Sequence, residues 1–226
     1  MEVNADFSQR VVLDTNALDW IPSPLPGVDR RMLDRIGDEV ARATSIVRYA
    51  PGSSFSAHTH SGGEEFLVLD GVFSDEHGDY GPGFYVRNPV GSAHTPSSAA
   101  GCTILVKLWQ MDPEDQTFVR TDTRNGDWQE TDAAGVEKLA LHSFGPEEVM
   151  MFRLAPGASV PRHGHVGGEE ILVLEGELDD EHGRYSAGSW LRSPPGTKLA
   201  PFSDTGCLIY VKLGHLAEVR GLDIAG

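Results

Sequence analysis

The sequence predicts an all-β protein built as two tandem barrels of short strands. Its 226 residues include 26 Gly and 14 Pro, a composition of many turns rather than long helices. Its apolar runs are only a few residues long and are bounded by turn formers. The chain is also written twice. An offset of 105 residues superimposes His58 on His163, His60 on His165, Glu64 on Glu169 and Gly71 on Gly176, with no gap from Arg48 to Leu108.

The same offset carries Glu76-His77-Gly78 onto Glu181-His182-Gly183, Pro89 onto Pro194, Cys102 onto Cys207 and Lys107-Leu108 onto Lys212-Leu213. Upstream, Asp19-Trp20 matches Asp127-Trp128 at an offset three residues longer. The expected division is a first barrel over 1–111 and a second over 112–226, with 112–127 as a polar joining segment. Within each copy, strands are expected at Arg42 to Tyr49 and Glu148 to Leu154, each followed by a Pro-Gly turn. Short strands follow at Phe66 to Leu69 and Ile171 to Leu174, then the hairpin loops SDEHGDYGPG and DDEHGRYSAG. Phe84 to Arg87, Trp190 to Arg192, and the closing strands Thr103 to Leu108 and Leu208 to Leu213 complete about eight strands per copy, the number of a sandwich or closed barrel.

The chemistry concentrates in Gly52 to Gly71. His58 and His60 form an H-x-H triplet whose imidazoles share one face of a strand, because side chains alternate with period two. Gly62-Gly63 turns the chain so that Glu64 returns toward both rings. Two His and a carboxylate converging on one point are donors for a divalent transition metal. Past the Pro89-x-Gly91 turn, His94 enters the same barrel mouth.

These residues carry a resemblance. Gly52, His58, His60, Glu64 and Gly71 fit G-x5-H-x-H-x3-E-x6-G, and Gly83, Pro89, Gly91 and His94 fit G-x5-P-x-G-x2-H. The chain resembles the cupins, which implies double-stranded β-helix (jelly-roll) barrels and a metal held by His58, His60, Glu64 and His94. H-x-H-x-G-G-E-E, the later D-E-H-G and the preceding Asp-Trp resemble more narrowly the ChrR-type cupins, over nearly the whole chain. That resemblance implies zinc, with Fe2+, Mn2+ or Ni2+ as alternatives that suit the same donors. It also implies a regulatory or sensor role beside an extracytoplasmic-function sigma factor. The family's anti-sigma activity lies in a separate helical N-terminal zinc domain; these residues open on the cupin repeat without a C-x-x-C, so sigma-factor sequestration is not expected of them.

The second copy departs from the pattern. His163, His165 and Glu169 are in place, but Leu199 stands where His94 stands in the first, and a hydrocarbon cannot ligate. The expected second site is incomplete: three protein donors, with room for water or a small ligand in the barrel mouth. Glu65 and Glu170 should face away by alternation, and His77 and His182 should sit in solvated hairpin tips. Arg48 and Arg153 are expected in surface ion pairs, Trp20 and Trp128 against the barrel ends, and Lys107 and Lys212 in solvent.

A formal charge of −16 argues against nucleic-acid or anionic-membrane partners, since phosphate contact needs a basic face. No export signal or membrane-length apolar run is visible, and Cys102 and Cys207 read as buried free thiols. A cytoplasmic monomer or homodimer is expected. Two functional classes lead, a metal-binding sensor or small-ligand module and a metal-dependent dioxygenase acting on small ketones or diketones; an isomerase, lacking an evident acid–base pair, and a storage-like structural bicupin rank behind them. No phosphate loop, serine elbow or nucleophilic cysteine motif offers a third chemistry.

Overall fold

The computed structural model describes residues 1–218. Among them are strands and two single-turn 3-10 helices, Thr15–Ala17 and Thr123–Asn125, and no α-helix. Among the described residues no helix is long and apolar enough to cross a membrane. The all-β expectation of two cupin-like repeats holds.

The chain forms two compact units. Among the described residues, one comprises Met1–Ala5 and Leu18–Asn125; the other comprises Asp6–Ala17 and residues 126–218. The expected cut at 1–111 and 112–226 differs from these units at its edges. Residues 112–127 are more than a linker, because Val119–Asp122 is a strand that pairs antiparallel with Phe84–Asn88 and closes one side of the first unit's sheet. The second unit is closed in the same way by Val11–Asp14, paired with Ser189–Ser193. Each of these strands lies outside its repeat's matched stretch, where the 105-residue offset carries no information. The 3-10 turns that follow anchor them alike: Thr123 Oγ1 donates to the Gly83 carbonyl and Thr15 Oγ1 to the Gly188 carbonyl, both at 2.7 Å.

In the first unit the main sheet runs in the order Glu2–Val3, Val28–Gly37, Ala41–Tyr49, Cys102–Leu108, Glu64–Gly71, Phe84–Asn88, Val119–Asp122. A second, four-stranded sheet carries Gly78–Tyr80, Phe73–Asp75, Ser97–Ser98 and Ser53–Ser54. A two-stranded ladder joins His58–Thr59 to Ala93–His94. The second unit repeats this plan, except that its strand Glu169–Asp180 runs on past Gly176, where a stop was expected, into the hairpin with Gly183–Ser186.

Period-two alternation sends one set of side chains inward. In the first unit Val47, Phe66, Val68, Phe73, Val86, Ile104 and Val106 form the buried interior, with Cys102 among them. In the second, Met150, Ile171, Val173, Leu178, Leu191, Ile209 and Val211 do so with Cys207. Both thiols are free and buried.

The opposite face departs from expectation. Lys107 and Lys212 are 2% and 0% exposed rather than in solvent. Lys107 Nζ donates to Thr44 Oγ1 at 3.0 Å, and Lys212 Nζ lies 3.2 Å from Glu147. Arg87 bridges Glu65 and Asp115 at 2.8 and 2.7 Å, and Arg42 faces Asp34. Alternation places these side chains outside the barrel, but Gln110 and Asp115 of the returning chain cover that face in the first unit. A buried charge persists only where partners are supplied, and here they are. Arg48 and Arg153 behave as expected: they pair with Asp29 and Glu137 at the surface and stack over Trp20 and Trp128.

Candidate metal centre

The first motif is shaped by Gly62 and Gly63. Gly63 has φ +74, and a Cβ at Gly62 would lie 2.2 Å from the Trp109 ring, so only glycine lets the turn close there. The chain then enters Glu64–Gly71 with Glu64 aimed at the imidazoles. The ladder pairs His94 directly with His58, and Asn88 sits opposite Glu64 on the neighbouring strand.

The fold thus brings His58, His60 and His94 together, with one ring nitrogen from each lying within 4.8 Å of the others. Ring centroids are 4.7–5.0 Å apart. Glu64 Oε2 lies 3.4 Å from His60 Nε2 and 3.6 Å from His94 Nε2. His60, Glu64 and His94 are buried, whereas His58 is exposed at the mouth. His60 Nε2 is buried and has no hydrogen-bond partner. Burial, with His58 adding to it, pushes His60 down to about 4, so its ring is neutral with a free lone pair at neutral pH. Burial likewise lowers His94 and raises Glu64. Imidazoles and a desolvated carboxylate around an unsatisfied nitrogen fit a divalent cation, which would supply the charge this pocket lacks.

Outer contacts hold the donors in place. His58 Nδ1 lies 3.2 Å from the Ser56 carbonyl and His94 Nδ1 lies 3.3 Å from Asp75, which leaves each Nε2 for the centre. Tyr80 donates to Asp75 at 3.0 Å, and Arg120 donates to Tyr80 at 3.1 Å and to Asn88 at 2.6 Å. Asn88 in turn donates to Glu64 at 3.1 Å. A chain of contacts therefore runs from His94 through Asp75, Tyr80, Arg120 and Asn88 to Glu64. Sequence reasoning missed all four intermediates. Asp75 and Tyr80 recur in the second copy as Asp180 and Tyr185, a signal that composition alone reads as a hairpin loop. Arg120 left none, because it lies in the expected joining segment.

The second copy places its residues differently. His163 and His165 are 5.0 Å apart between centroids, and His165 Nε2 is 3.8 Å from Glu169. The ladder pairs His163 with Leu199, a buried hydrocarbon. Among the described residues only the first unit gathers three metal-ligating side chains. Asp180 still accepts from Tyr185, and with no imidazole to serve, its other oxygen takes Arg10 at 2.7 Å. Glu65 and Glu170 face away from both centres, held by Arg87 and His215. His77 and His182 occupy exposed hairpin tips.

Barrels of this topology, with the first motif supplying two His and a Glu and the second a His, define the cupin class, and two in one chain make a bicupin. The model of the ChrR cupin-like domain matches residues 8–112 and 116–217, so this chain belongs to that family. A dioxygenase candidate from Nostoc punctiforme is similar in structure at 18% identity and TM-score 0.78, covering 94% of this chain and 85% of that one. YlbA from E. coli is similar at 15% identity and TM-score 0.69, covering 92% of each chain. A single-substitution variant of the oxalate decarboxylase of B. subtilis is similar at 12% identity and TM-score 0.63, covering 91% of this chain and 77% of that one. No curated relative matches the sequence. At these identities the structural likenesses establish the fold.

Proposed function

We propose that the first barrel holds one divalent transition metal on His58, His60, His94 and Glu64, and that the protein serves as a metal-loaded sensor or small-ligand-binding module. The observation that carries this reading is His60 Nε2, buried and without a hydrogen-bond partner among two further imidazoles and a carboxylate. Such a cation, when bound, contributes Lewis acidity and cross-links the strands that carry its ligands. Zinc is preferred through the family, and iron, manganese and nickel suit the same donors. The set His163, His165 and Glu169 is read as metal-free, because Leu199 withholds the fourth donor. Two free buried thiols suit a reducing cytoplasm.

Metal analysis of the purified protein beside His94→Ala tests the assignment. One metal per chain in the wild type, lost in the variant, is the expected result; full retention by the variant sinks it. A sigma-factor partner would be supported only by zinc-dependent capture of a sigma factor by this chain.

A second reading is a metal-dependent dioxygenase. It is favoured by the exposure of His58, which opens the centre to solvent and co-substrate. Oxygen uptake on a small diketone after iron loading, absent from the zinc form, would select it over the sensor.

A further inference from the structure

The interiors of the two barrels are filled differently. In the first unit the positions behind the histidines carry Tyr49, Phe55, Phe66 and Phe73. Their rings pack at centroid distances of 5.3 Å (Tyr49–Phe55), 5.8 Å (Tyr49–Phe73) and 4.6 Å (Phe66–Phe73), and Phe73 lies 5.8 Å from His94. At the 105-residue offset the second unit has Leu154, Val160, Ile171 and Leu178. Other changes run the opposite way, Phe152 for Val47, Met150 for Ser45 and Leu191 for Val86. The second barrel holds a cavity of about 380 Å³, walled by these four aliphatic residues and Phe152. His163, His165 and Glu169 supply polar atoms to the same cavity.

We propose that this cavity is a binding site for an uncharged monohydroxy compound, an aliphatic alcohol or a phenol, and that it works without a metal. A mostly apolar pocket with a few polar groups is the usual form of a small-molecule site, and 300–1,000 Å³ is roughly its usual size. An engineered apolar cavity of about 150 Å³ accepts benzene, and this one is more than twice as large.

The polar residues decide the head group. His163 Nδ1 lies 2.9 Å from the Pro161 carbonyl, so the ring donates from Nδ1 and, as a neutral imidazole, accepts at Nε2. Glu169 offers further acceptors, and the His165 ring can donate or accept. These groups suit a ligand that gives a proton to them and can also receive one from His165, as a hydroxyl does. A ketone has no such proton, and a carboxylate would meet Glu169. Leu199, buried beside the same residues, removes the donor that would make the set a metal site and leaves hydrocarbon wall in its place.

The site is independent of the metal assigned to the first barrel, so the two readings fail separately. Calorimetric titration and saturation-transfer NMR would use 1-hexanol, 1-octanol and 4-ethylphenol, with octanoate and n-octane as controls, in the presence of chelator. Saturable binding at one site per chain is expected, with octanoate at least tenfold weaker than 1-octanol. His94→Ala should bind as the wild type does. Refilling the barrel with Ile171→Phe and Leu178→Phe should abolish binding. Glu169→Gln, which keeps the volume, should weaken 1-octanol several-fold and leave n-octane unchanged, so the proposal stays testable if the refilled variant does not fold. No saturable binding by any alcohol or phenol, binding that disappears with His94→Ala, or a metal ion held by His163, His165 and Glu169 in the wild type would each overturn it.

Discussion

In the first barrel four aromatic rings stand behind a cluster of three imidazoles, while in the second four aliphatic side chains surround a cavity of about 380 Å³. The outer contacts diverge in step. Asp75 is turned to His94 in one unit, and in the other Asp180 is neutralised directly by Arg10. Arg10, just before its strand, and Arg120, within its own, reach the equivalent Tyr185 and Tyr80 from positions two residues apart once the strands are aligned. The unit that lacks one imidazole thus also carries a rearranged charge and a cavity. A repeated fold can keep its backbone plan while its two interiors are put to different uses.

The sharpest way to break this comparison is Leu199→His, which restores the fourth donor of the second set. The expected outcome is a rise from one bound metal to two per chain, read by elemental analysis; no rise would place the difference in Arg10–Asp180 and the cavity rather than in Leu199. The interiors should also differ in what they lose on truncation. Phe66→Ala removes a ring from a filled core and should destabilise the protein by about 3–5 kcal/mol, whereas Ile171→Ala, beside an existing cavity, should cost only about 2 kcal/mol, the low end for its type. Urea unfolding of the two variants measures both.

Smaller effects should separate the outer shells. Asp75→Asn weakens the acceptor that orients His94 and should reduce metal affinity by roughly 10–100-fold. Asp180→Asn should leave metal affinity unchanged in the same competition assay with a chromogenic chelator.

The smallest expected effect is a pH dependence in metal-free protein. His60 has an ordinary value of 6.5 and is pushed down to about 4 by burial, so the unfolded chain takes up a proton that the folded chain refuses. Its contribution to stability is complete above about pH 6.5 and is lost as pH falls toward 4. Glu64, raised by burial, acts in the opposite sense. The thermal midpoint in chelator should therefore fall less steeply over this range in His60→Asn than in wild type.

Much of the candidate site was legible because it is local. His58, His60 and Glu64 lie within seven residues, so strand period and one glycine turn suffice to converge them, and His94 follows from a second short motif. Repetition gave the architecture, since two copies in register share one backbone plan. The burial of Lys107 was not legible, for a physical reason: alternation tells which face a side chain takes, but not whether other chain covers that face. The role of Asp75 was hidden because a hairpin composition says nothing of where its carboxylate points.

By itself, then, the sequence determined the two β barrels, the converging donors of the first and the missing donor of the second, all consequences of repetition and of spacing within two short motifs. Only the tertiary structure decided that Val119–Asp122 and Val11–Asp14 close the sheets and that Arg120 and Arg10 serve different partners. It also decided that aliphatic side chains from four separated positions line one cavity. Arg10 and Asp180 meet across 170 residues of chain, and cavity volume is a sum over walls drawn from many strands. Neither quantity has a local signature, because each depends on which distant atoms arrive at the same place.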